Sequence, residues 1–217
     1  MTATSDSSLS TDIGGVTIHS KFGEGGRTVV YGGVWHDQEV VVKVYKPRAI
    51  ERHAKRHPLN IAEFEFQRNA ALYQVPGLSR YIAEPLQVIL EGAVCAMVQE
   101  RLIGPLYYLY WREHHQNVPG SFLGHLEKIL SLAHGANIFD VDIHAFNVIV
   151  DESGDEPIPK LFDFNLIPFH ERPGFSLQKL GFKLGWVSKA TRDRRLLRNF
   201  NKFARRERKL VKYFEEN

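Results

Sequence analysis

Runs of β-branched and aromatic residues dominate the first third of the chain. They predict three strands, over residues 16–22, 29–35 and 39–45, which are separated by turns containing Gly or Asp. Strong helix formers then fill residues 61–73 without Gly or Pro, and Pro76-Gly77 follows, so a helix is predicted there. The pattern therefore begins as a β-meander that leads into a helix.

Two further strands are predicted over residues 83–90 and 93–99, because only the turn signal Glu91-Gly92 separates them. Beyond Gly104-Pro105 the pattern becomes mainly helical, with helices predicted over 106–115 and 122–136 and throughout the C-terminal third. Short strands over 148–150 and 160–162 interrupt it. We therefore predict an α+β fold with a five-stranded antiparallel sheet plus one helix in residues 16–103. A mostly helical lobe follows in 104–217, and residues 1–15 are predicted to be a flexible leader.

Charge is distributed unevenly along the sequence. The segment 179–212 holds 13 basic and 2 acidic residues, a net charge of +11 in a chain whose net charge is +3. Such a segment attracts phosphate-rich partners, although a solvated helical face is an equally good interpretation. Four aromatic residues follow helical spacing in this region, which favours core packing over base stacking, so we expect no specific nucleic-acid partner: Phe200, Phe203, Tyr213 and Phe214.

The cysteine content and the distribution of apolar residues indicate the cellular compartment of the protein. The single cysteine, Cys95, lies in an apolar run and excludes an intrachain disulfide. The N-terminal residues lack the basic and apolar parts of a signal peptide, and no apolar run approaches the roughly 20 residues of a membrane span. We expect a cytoplasmic monomer.

Two features of the predicted sheet suit phosphate binding. The Gly-rich segment 23–31 joins the first two strands, where glycines let backbone amides approach phosphate oxygens, although a plain hairpin would also use glycine. Lys43 lies within an apolar strand, so its ammonium group requires anionic partners. We predict that Glu65 on the following helix is its carboxylate partner, with Glu63 as the alternative.

Polar residues cluster around the two short strands that follow the predicted helices. Asp142 and Asn147 lie in the loop before the first strand, and Asp163 ends the second. Oxygen ligands of this kind suit Mg²⁺ that is shared with substrate phosphates, so Asn147 and Asp163 are the predicted metal ligands. Asp142 is then left to accept a proton from an attacking hydroxyl. A turn-forming role would explain any one of the three, but not all of them together.

In their order and spacing, these motifs resemble the protein-kinase-like superfamily over residues 21–166. The resemblance implies a two-lobed fold, use of ATP and Mg²⁺, and contact of Lys43 with the α- and β-phosphates while Glu65 holds it. It also implies that Asp142 is the catalytic base. The nucleotide-binding residues that it implies are Gly23, Gly25, Val30, Lys43, Gln99 as gatekeeper, and Glu100 and Leu102, whose backbones would face the adenine.

Several positions depart from the usual kinase pattern. Thr28 stands in place of the third glycine of the loop, and Asn165 ends the metal-binding triplet in place of Gly. Asp140-Val141 replace the usual His-Arg, so we expect no activation-loop phosphorylation switch. His144 is similar to the pattern of aminoglycoside and sugar phosphotransferases and of bacterial lipopolysaccharide-core kinases, where it would brace the catalytic loop.

The short C-terminal part indicates a smaller group of proteins within the superfamily. Only 54 residues follow Asp163, too few for the usual substrate-docking region of a peptide kinase. The chain therefore resembles the small YrbL-type and toluene-tolerance/lipopolysaccharide-kinase proteins of Gram-negative bacteria. That resemblance implies a lipopolysaccharide-core sugar or related small molecule as acceptor, with the basic C-terminus contacting an anionic glycolipid peripherally at the inner membrane. The alternatives are a protein Ser/Thr/Tyr acceptor and, less favoured, a pseudokinase that acts as a binding module.

Overall fold

The computed structural model describes residues 11–114 and 118–202, which form two compact units. The first unit contains residues 11–66 and 85–101. The second contains 67–84, 102–114 and 118–202, so the division falls inside a helix, after Phe66, and again after Arg101.

The first unit is built on a six-stranded antiparallel sheet with the strand order β1-β2-β3-β4-β6-β5. Four of the five connections between consecutive strands are short turns, and only the connection from β4 to β5 contains helices. The strands are β1 Thr11–Ile13, β2 Val16–Glu24, β3 Thr28–Trp35, β4 Gln38–Tyr45, β5 Pro85–Glu91 and β6 Val94–Glu100.

Strand β1 corrects the prediction of five strands, and it occupies residues 11–13 of the segment 1–15 that was predicted to be a flexible leader. Its three residues pair with β2 through a tight turn at Gly14-Gly15, where both glycines have positive φ, at 56° and 82°. Glycine adopts that conformation without the steric cost that other residues meet. A strand of three residues at the end of a Ser- and Thr-rich segment has no sequence pattern from which it could be predicted. Residues 1–10 lie outside the described part of the chain.

Two α-helices and a short 3₁₀ helix, rather than the single helix predicted, connect β4 to β5. The predicted helix is α2, Ile61–Tyr73, and it is preceded by α1, Pro47–Ala54. Proline at the first position starts α1, where its missing N–H would be unpaired in any case. Helix α1 has only eight residues, of which Ala49 and His53 are buried, and it was not predicted from the sequence.

Two clusters of buried side chains hold the first unit together. One packs the sheet residues Val16, Val40, Val42 and Val98. The other joins the opposite side of the sheet to the helices and includes Tyr45, Ala49, Ile61, Ala62, Cys95 and Met97. Cys95 is buried as predicted, and burial raises the pKa of its thiol.

The second unit is mostly helical. Besides the C-terminal part of α2, it contains a short 3₁₀ helix and a two-stranded antiparallel ribbon, β7-β8. Its elements are the 3₁₀ helix Ser79–Tyr81, α3 Tyr107–Glu113, α4 Gly120–Gly135, β7 Val148–Asp151, β8 Ile158–Leu161, α5 Leu177–Lys183 and α6 Thr191–Arg198.

One apolar core fills the second unit. Tyr107, Phe122, Ile129, Phe164 and Phe200 are among its fully buried members. Phe200 therefore packs in the core, with its ring centroid 4.6 Å from that of Tyr107. The remaining aromatic and basic residues singled out in the C-terminal segment lie outside the described residues: Phe203, Arg205, Arg206, Arg208, Lys209, Lys212, Tyr213 and Phe214.

The α+β prediction is confirmed, with one sheet-based unit and one mainly helical unit. Within residues 11–114 and 118–202, no helix has the length and apolar character needed to cross a membrane.

Candidate active site residues

Lys43 on β4 is buried in an ion pair. It is 4% exposed, and its Nζ lies 2.5 Å from Oε1 of Glu65, which is fully buried on α2. The hydroxyl of Tyr45 donates to the other carboxylate oxygen of Glu65. Two donors therefore fix both oxygens of one carboxylate, as a charge needs when it is removed from water.

Glu63, the alternative partner, has a different role. Its Oε2 accepts a hydrogen bond of 3.2 Å from the backbone N–H of Asn60, while Oδ1 of Asn60 accepts one of 2.9 Å from the N–H of Ala62. This reciprocal arrangement is a capping box at the start of α2. The structure thus separates the two acids, with Glu63 capping the helix and Glu65 meeting the lysine.

The Gly-rich segment forms the hairpin between β2 and β3. Its turn is closed by the N–H of Gly25, which donates to the carbonyl of Thr28 at 2.8 Å, and Val30 pairs with Gly23 on one side and Lys43 on the other. A Cβ added at Gly23 would meet no atom within 4 Å, and one at Gly25 only the Thr28 carbonyl, at 3.9 Å. Neither residue has positive φ.

The fold itself therefore does not require these two glycines. Their open surface suits the close approach of a ligand that a side chain would obstruct. This argues against the plain-hairpin interpretation of the segment.

The remaining predicted nucleotide residues lie around the end of β6. Gln99 pairs with Val41 and is 2% exposed, and its side-chain Oε1 has no hydrogen-bond donor among the described residues. Glu100 is the last residue of β6, and Leu102 begins the next segment of the second unit. Their proposed contact with adenine stays a prediction.

The polar loop of the second unit precedes β7. Asp142 has a positive φ of 62°, an uncommon conformation for a residue with a Cβ. Its carbonyl accepts a 3.2 Å hydrogen bond from Nδ2 of Asn147, and the N–H of Asn147 donates to the carbonyl of His144 at 2.9 Å. These contacts make a compact loop and do not use the amide oxygen of Asn147, which is the atom predicted to bind a metal.

Arg192, at the start of α6, contacts the predicted base directly. Its Nη2 lies 2.7 Å from Oδ1 of Asp142. The two side chains are 29% and 21% exposed, so the pair lies at the edge of the core and remains partly open to solvent. In the sequence, Arg192 was counted only as one charge of the basic segment, and nothing there links it to Asp142.

His144 lies inside the same loop. Its Nδ1 accepts a hydrogen bond of 3.3 Å from the N–H of Phe146. Burial lowers the pKa of His144, and the charges of Asp142 and Asp163 oppose that effect. A ring that accepts a backbone hydrogen bond and has a lowered pKa is neutral near pH 7, which suits a structural part in the loop.

Asp163 follows β8 and is held by its own neighbour. Oδ1 of Asp163 accepts from both Nδ2 and the backbone N–H of Asn165, at 2.5 and 3.4 Å. Its influence on the pKa of His144 shows that its charge acts on the same loop. The structure therefore brings Asp142, His144, Asn147 and Asp163 into one electrostatic neighbourhood of the second unit.

Asp193 is a residue that sequence reasoning missed. It is fully buried on α6, and its carboxylate accepts hydrogen bonds from the backbone N–H groups of Asp140 and Val141, at 2.8 and 3.0 Å. Nε2 of His134 lies 3.0 Å from the same carboxylate. Asp193 thus holds the start of the polar loop. The available signal was its isolation as one of two acids in the basic segment.

Arg68 and Asp140 make further hydrogen bonds that fix the polar loop. Nη2 of Arg68, on α2, contacts the carbonyls of Phe139 and Asp140, at 2.5 and 2.9 Å. Oδ2 of Asp140 accepts a 2.6 Å hydrogen bond from the N–H of Phe169. Asp140, which stands where kinases usually have His, therefore ties the loop to the segment after Asp163.

The donor set of this loop fits a magnesium ion bound together with phosphates. Among the described residues there is no group of three or more His, Cys, Asp or Glu side chains suited to a metal. Asn147 and Asp163 supply only oxygen ligands, and Mg²⁺ commonly takes one or two protein ligands, with water and substrate phosphates completing its shell. The residues therefore suit a substrate-dependent metal better than a permanent one.

Comparison with known proteins gives the fold. No family model matches the sequence, and no curated protein matches it. Among solved structures, the PknI kinase domain of Mycobacterium tuberculosis matches at 16% identity with a TM-score of 0.53, covering 73% of this chain and 62% of that one. The chain thus spans less than two thirds of that domain.

Two mutant structures of the same domain match over more of the chain. A point mutant aligns at 15% identity with a TM-score of 0.58, over 88% of this chain and 74% of that one. A double mutant aligns at 16% identity with a TM-score of 0.60, over 88% and 75%. The chain has the protein-kinase fold.

Proposed function

We propose that the chain is a phosphotransferase that moves the γ-phosphoryl group of ATP to a hydroxyl group. The observation that carries the proposal is the buried Lys43–Glu65 pair, with Tyr45 on the second carboxylate oxygen. A buried lysine in an apolar strand costs stability, and the cost is explained if its ammonium group binds phosphate.

In this reaction the acceptor oxygen attacks the γ-phosphorus, the bond to the β-phosphate oxygen breaks, and ADP leaves. Asp142 accepts the hydroxyl proton through its carboxylate. Lys43 binds the α- and β-phosphates, and Glu65 and Tyr45 fix its position. Asn147 and Asp163 would hold Mg²⁺, which neutralises phosphate charge when it is bound.

The acceptor that we propose is an anionic sugar or glycolipid, with a lipopolysaccharide-core sugar as the favoured example. Support comes from the resemblance to the YrbL-type and lipopolysaccharide-kinase proteins and from the basic charge of the C-terminal segment. Within the described residues, that segment carries eight cations and one acid, and the acid is the buried Asp193. A protein Ser, Thr or Tyr side chain is the alternative acceptor.

Metal-dependent nucleotide binding tests the core of the proposal. We expect ATP with Mg²⁺ to raise the melting temperature of the wild-type protein, and Asp163→Ala to abolish both that rise and phosphoryl transfer. Asp155→Ala is the matched control, because it removes the same charge from an exposed position in the β7–β8 turn. If Asp163→Ala behaved like this control in both measurements, the metal assignment would be wrong.

The acceptor class is tested separately with γ-labelled ATP and a lysate of Gram-negative cells. Label in the lipid extract or in small sugars would support the glycolipid acceptor, whereas label only in protein would overturn it. A chain that binds ATP but transfers no label to any fraction would instead be a nucleotide-binding module, the least favoured alternative.

A further inference from the structure

A cavity of about 350 Å³ lies within the second unit, beside the start of α6. Four cationic side chains line it, and the only carboxylate in its lining is that of Asp140. The cations are Arg172, Lys189, Arg192 and Arg195. This cationic cavity was not anticipated from the sequence, because its residues come from three separate segments.

Asp140 offsets only one of the four positive charges that line the cationic cavity. Its Oδ2 already accepts the 2.6 Å hydrogen bond from the N–H of Phe169, and its Oδ1 lies 3.9 Å from Nη1 of Arg192. The lining therefore keeps a surplus of positive charge. Arg172, Lys189 and Arg192 are half-buried and Arg195 is exposed, and partly desolvated cations attract an anion more strongly than exposed ones do.

Arg192 connects the cationic cavity to the predicted base. Its Nη2 contacts Asp142 at 2.7 Å, while its Nη1 is buried without a hydrogen-bond acceptor among the described residues. A guanidinium group is a rigid fork whose edges can each bind an oxyanion. Nη2 binds Asp142, so Nη1 is the nitrogen that could bind a second anion.

We propose that the cationic cavity binds an anionic group of the phosphoryl acceptor and thereby presents the acceptor hydroxyl to Asp142. The assignment rests on the proposed function in one respect, since it takes Asp142 as the base. Arg192 is then shared by the bound anion and the base, and it acts as a positioning residue.

The geometry limits the chemical class of the acceptor. Two oxyanions bound to different nitrogens of one guanidinium lie close to each other. The acceptor is therefore a small alcohol that carries a phosphate or a carboxylate a few bonds from the reacting hydroxyl. A volume of about 350 Å³ suits a headgroup and not a folded peptide segment. The rings of Phe169 and Phe182 provide an apolar wall for its carbon skeleton.

Binding of inorganic phosphate tests the site without any phosphoryl transfer. The full chain is titrated calorimetrically with phosphate, without nucleotide and magnesium, and compared with the double variant Lys189→Gln/Arg195→Gln. The control is Arg194→Gln/Arg198→Gln, which removes the same charge from α6 at positions that do not line the cavity. We expect about a tenfold loss of affinity in the first variant, because it removes two of the four cations that line the cavity, and less than a twofold loss in the control.

Equal weakening in both variants would show a general attraction by the basic segment and would overturn the proposal, as would the absence of phosphate binding. Loss of binding in Lys43→Ala would also overturn it, because the phosphate would then occupy the first unit. A parallel titration with acetate separates the two anion types, since preference for phosphate identifies a phosphorylated acceptor and preference for acetate a carboxylated one.

Asp142→Asn tests the shared arginine. Removal of the competing carboxylate charge frees the Arg192 guanidinium, so we expect phosphate affinity to rise severalfold, and unchanged or weaker binding would contradict a shared guanidinium. The two proposals can fail separately. Normal phosphate binding without any ATP-dependent transfer would refute only the proposed phosphotransferase activity. Transfer without phosphate binding would refute only the proposed anion site in the cationic cavity.

Discussion

At the scale of single residues, the clearest case is the carboxylate of Glu65. It is fully buried and has two donors, Lys43 and Tyr45, from the same strand. The sequence predicted the first partner but not the second, because a tyrosine two residues along an apolar strand resembles any other core residue. The hydroxyl of Tyr45 gives it a polar function that only the fold makes visible.

Tyr45→Phe should weaken the first unit and its phosphate site together. The variant leaves one oxygen of a buried carboxylate without its donor, so we expect the free energy of unfolding in urea to fall by about 1.5–3 kcal/mol. We also expect weaker ATP binding, because Lys43 loses a fixed partner. Tyr31→Phe removes a hydroxyl from the half-buried neighbouring strand and serves as control. Similar small losses in both variants would contradict the role given to Tyr45.

The residues that sequence reasoning found differ in kind from those that it missed. Lys43, Asp142, Asn147 and Asp163 were predictable because each is chemically unusual in its local sequence, as a charge in an apolar strand or an acid at a strand end. Arg192 and Asp193 were not, because their meaning depends on contacts 50 or more residues away. In a segment full of basic residues, Arg192 is not distinguished from its neighbours, and Asp193 is distinguished only by its opposite charge.

At the scale of elements, α6 organises the polar loop. Asp193 receives two backbone N–H groups of the loop, and Arg192 beside it contacts Asp142. These contacts support a loop in which Asp140 and Asp142 both have positive φ, a conformation that costs energy unless the surroundings enforce it. The basic C-terminal segment therefore contributes structure as well as charge.

Asp193→Ala should release this loop. Two buried N–H groups would lose their acceptor, so we expect the free energy of unfolding to fall by about 3–5 kcal/mol. Amide exchange at residues 140 and 141 should accelerate before global unfolding. Asp193→Asn, which retains one acceptor oxygen, should show a smaller loss. The control is Arg194→Ala, an exposed change on the same helix, and an equally small effect of Asp193→Ala would show that α6 does not hold the loop.

The limits of prediction at this scale follow from the composition and length of each element. Helix α2 was predicted with its observed bounds, because its helix formers are uninterrupted and Pro76-Gly77 follows them. Strand β1 and helix α1 were missed, since three residues carry no measurable alternation and α1 buries only two side chains. Both elements are stabilised by tertiary contacts more than by their own sequence pattern.

At the scale of the whole molecule, one buried and two half-buried histidines make stability depend on pH. Burial lowers the pKa of His53 to about 4, and nearby His57 and Arg27 add to the effect. Nε2 of His53 has no hydrogen-bond partner among the described residues, so a proton there would gain nothing. Burial also lowers the pKa of His144 and of His170. In each case folding favours the neutral ring.

The sign of the pH dependence follows from these directions. The unfolded chain takes up a proton at His53 near pH 6.5, whereas the folded chain does so only near pH 4, so the unfolded state binds more protons between these values. The stability contributed by the neutral ring is complete above pH 6.5 and is lost as the pH falls toward 4. Hydrogen bonds from Lys21 and Lys46 lower the pKa of Glu24 to about 2, so its smaller, exposed contribution is lost only below about pH 4.5.

We therefore expect two separable losses of stability on acidification. Between pH 6.5 and 4 the free energy of unfolding should fall by about 2–3 kcal/mol through His53 alone, and urea unfolding at half-unit steps measures it. His53→Leu should flatten that slope, because a side chain without a proton site cannot couple to pH. His36→Asn, at an exposed turn position with positive φ, should leave it unchanged. An equal slope in His53→Leu and the wild type would locate the proton uptake elsewhere, whereas a flattened slope would show that the burial of the His53 ring of α1 against Phe64 contributes to the acid sensitivity of the chain.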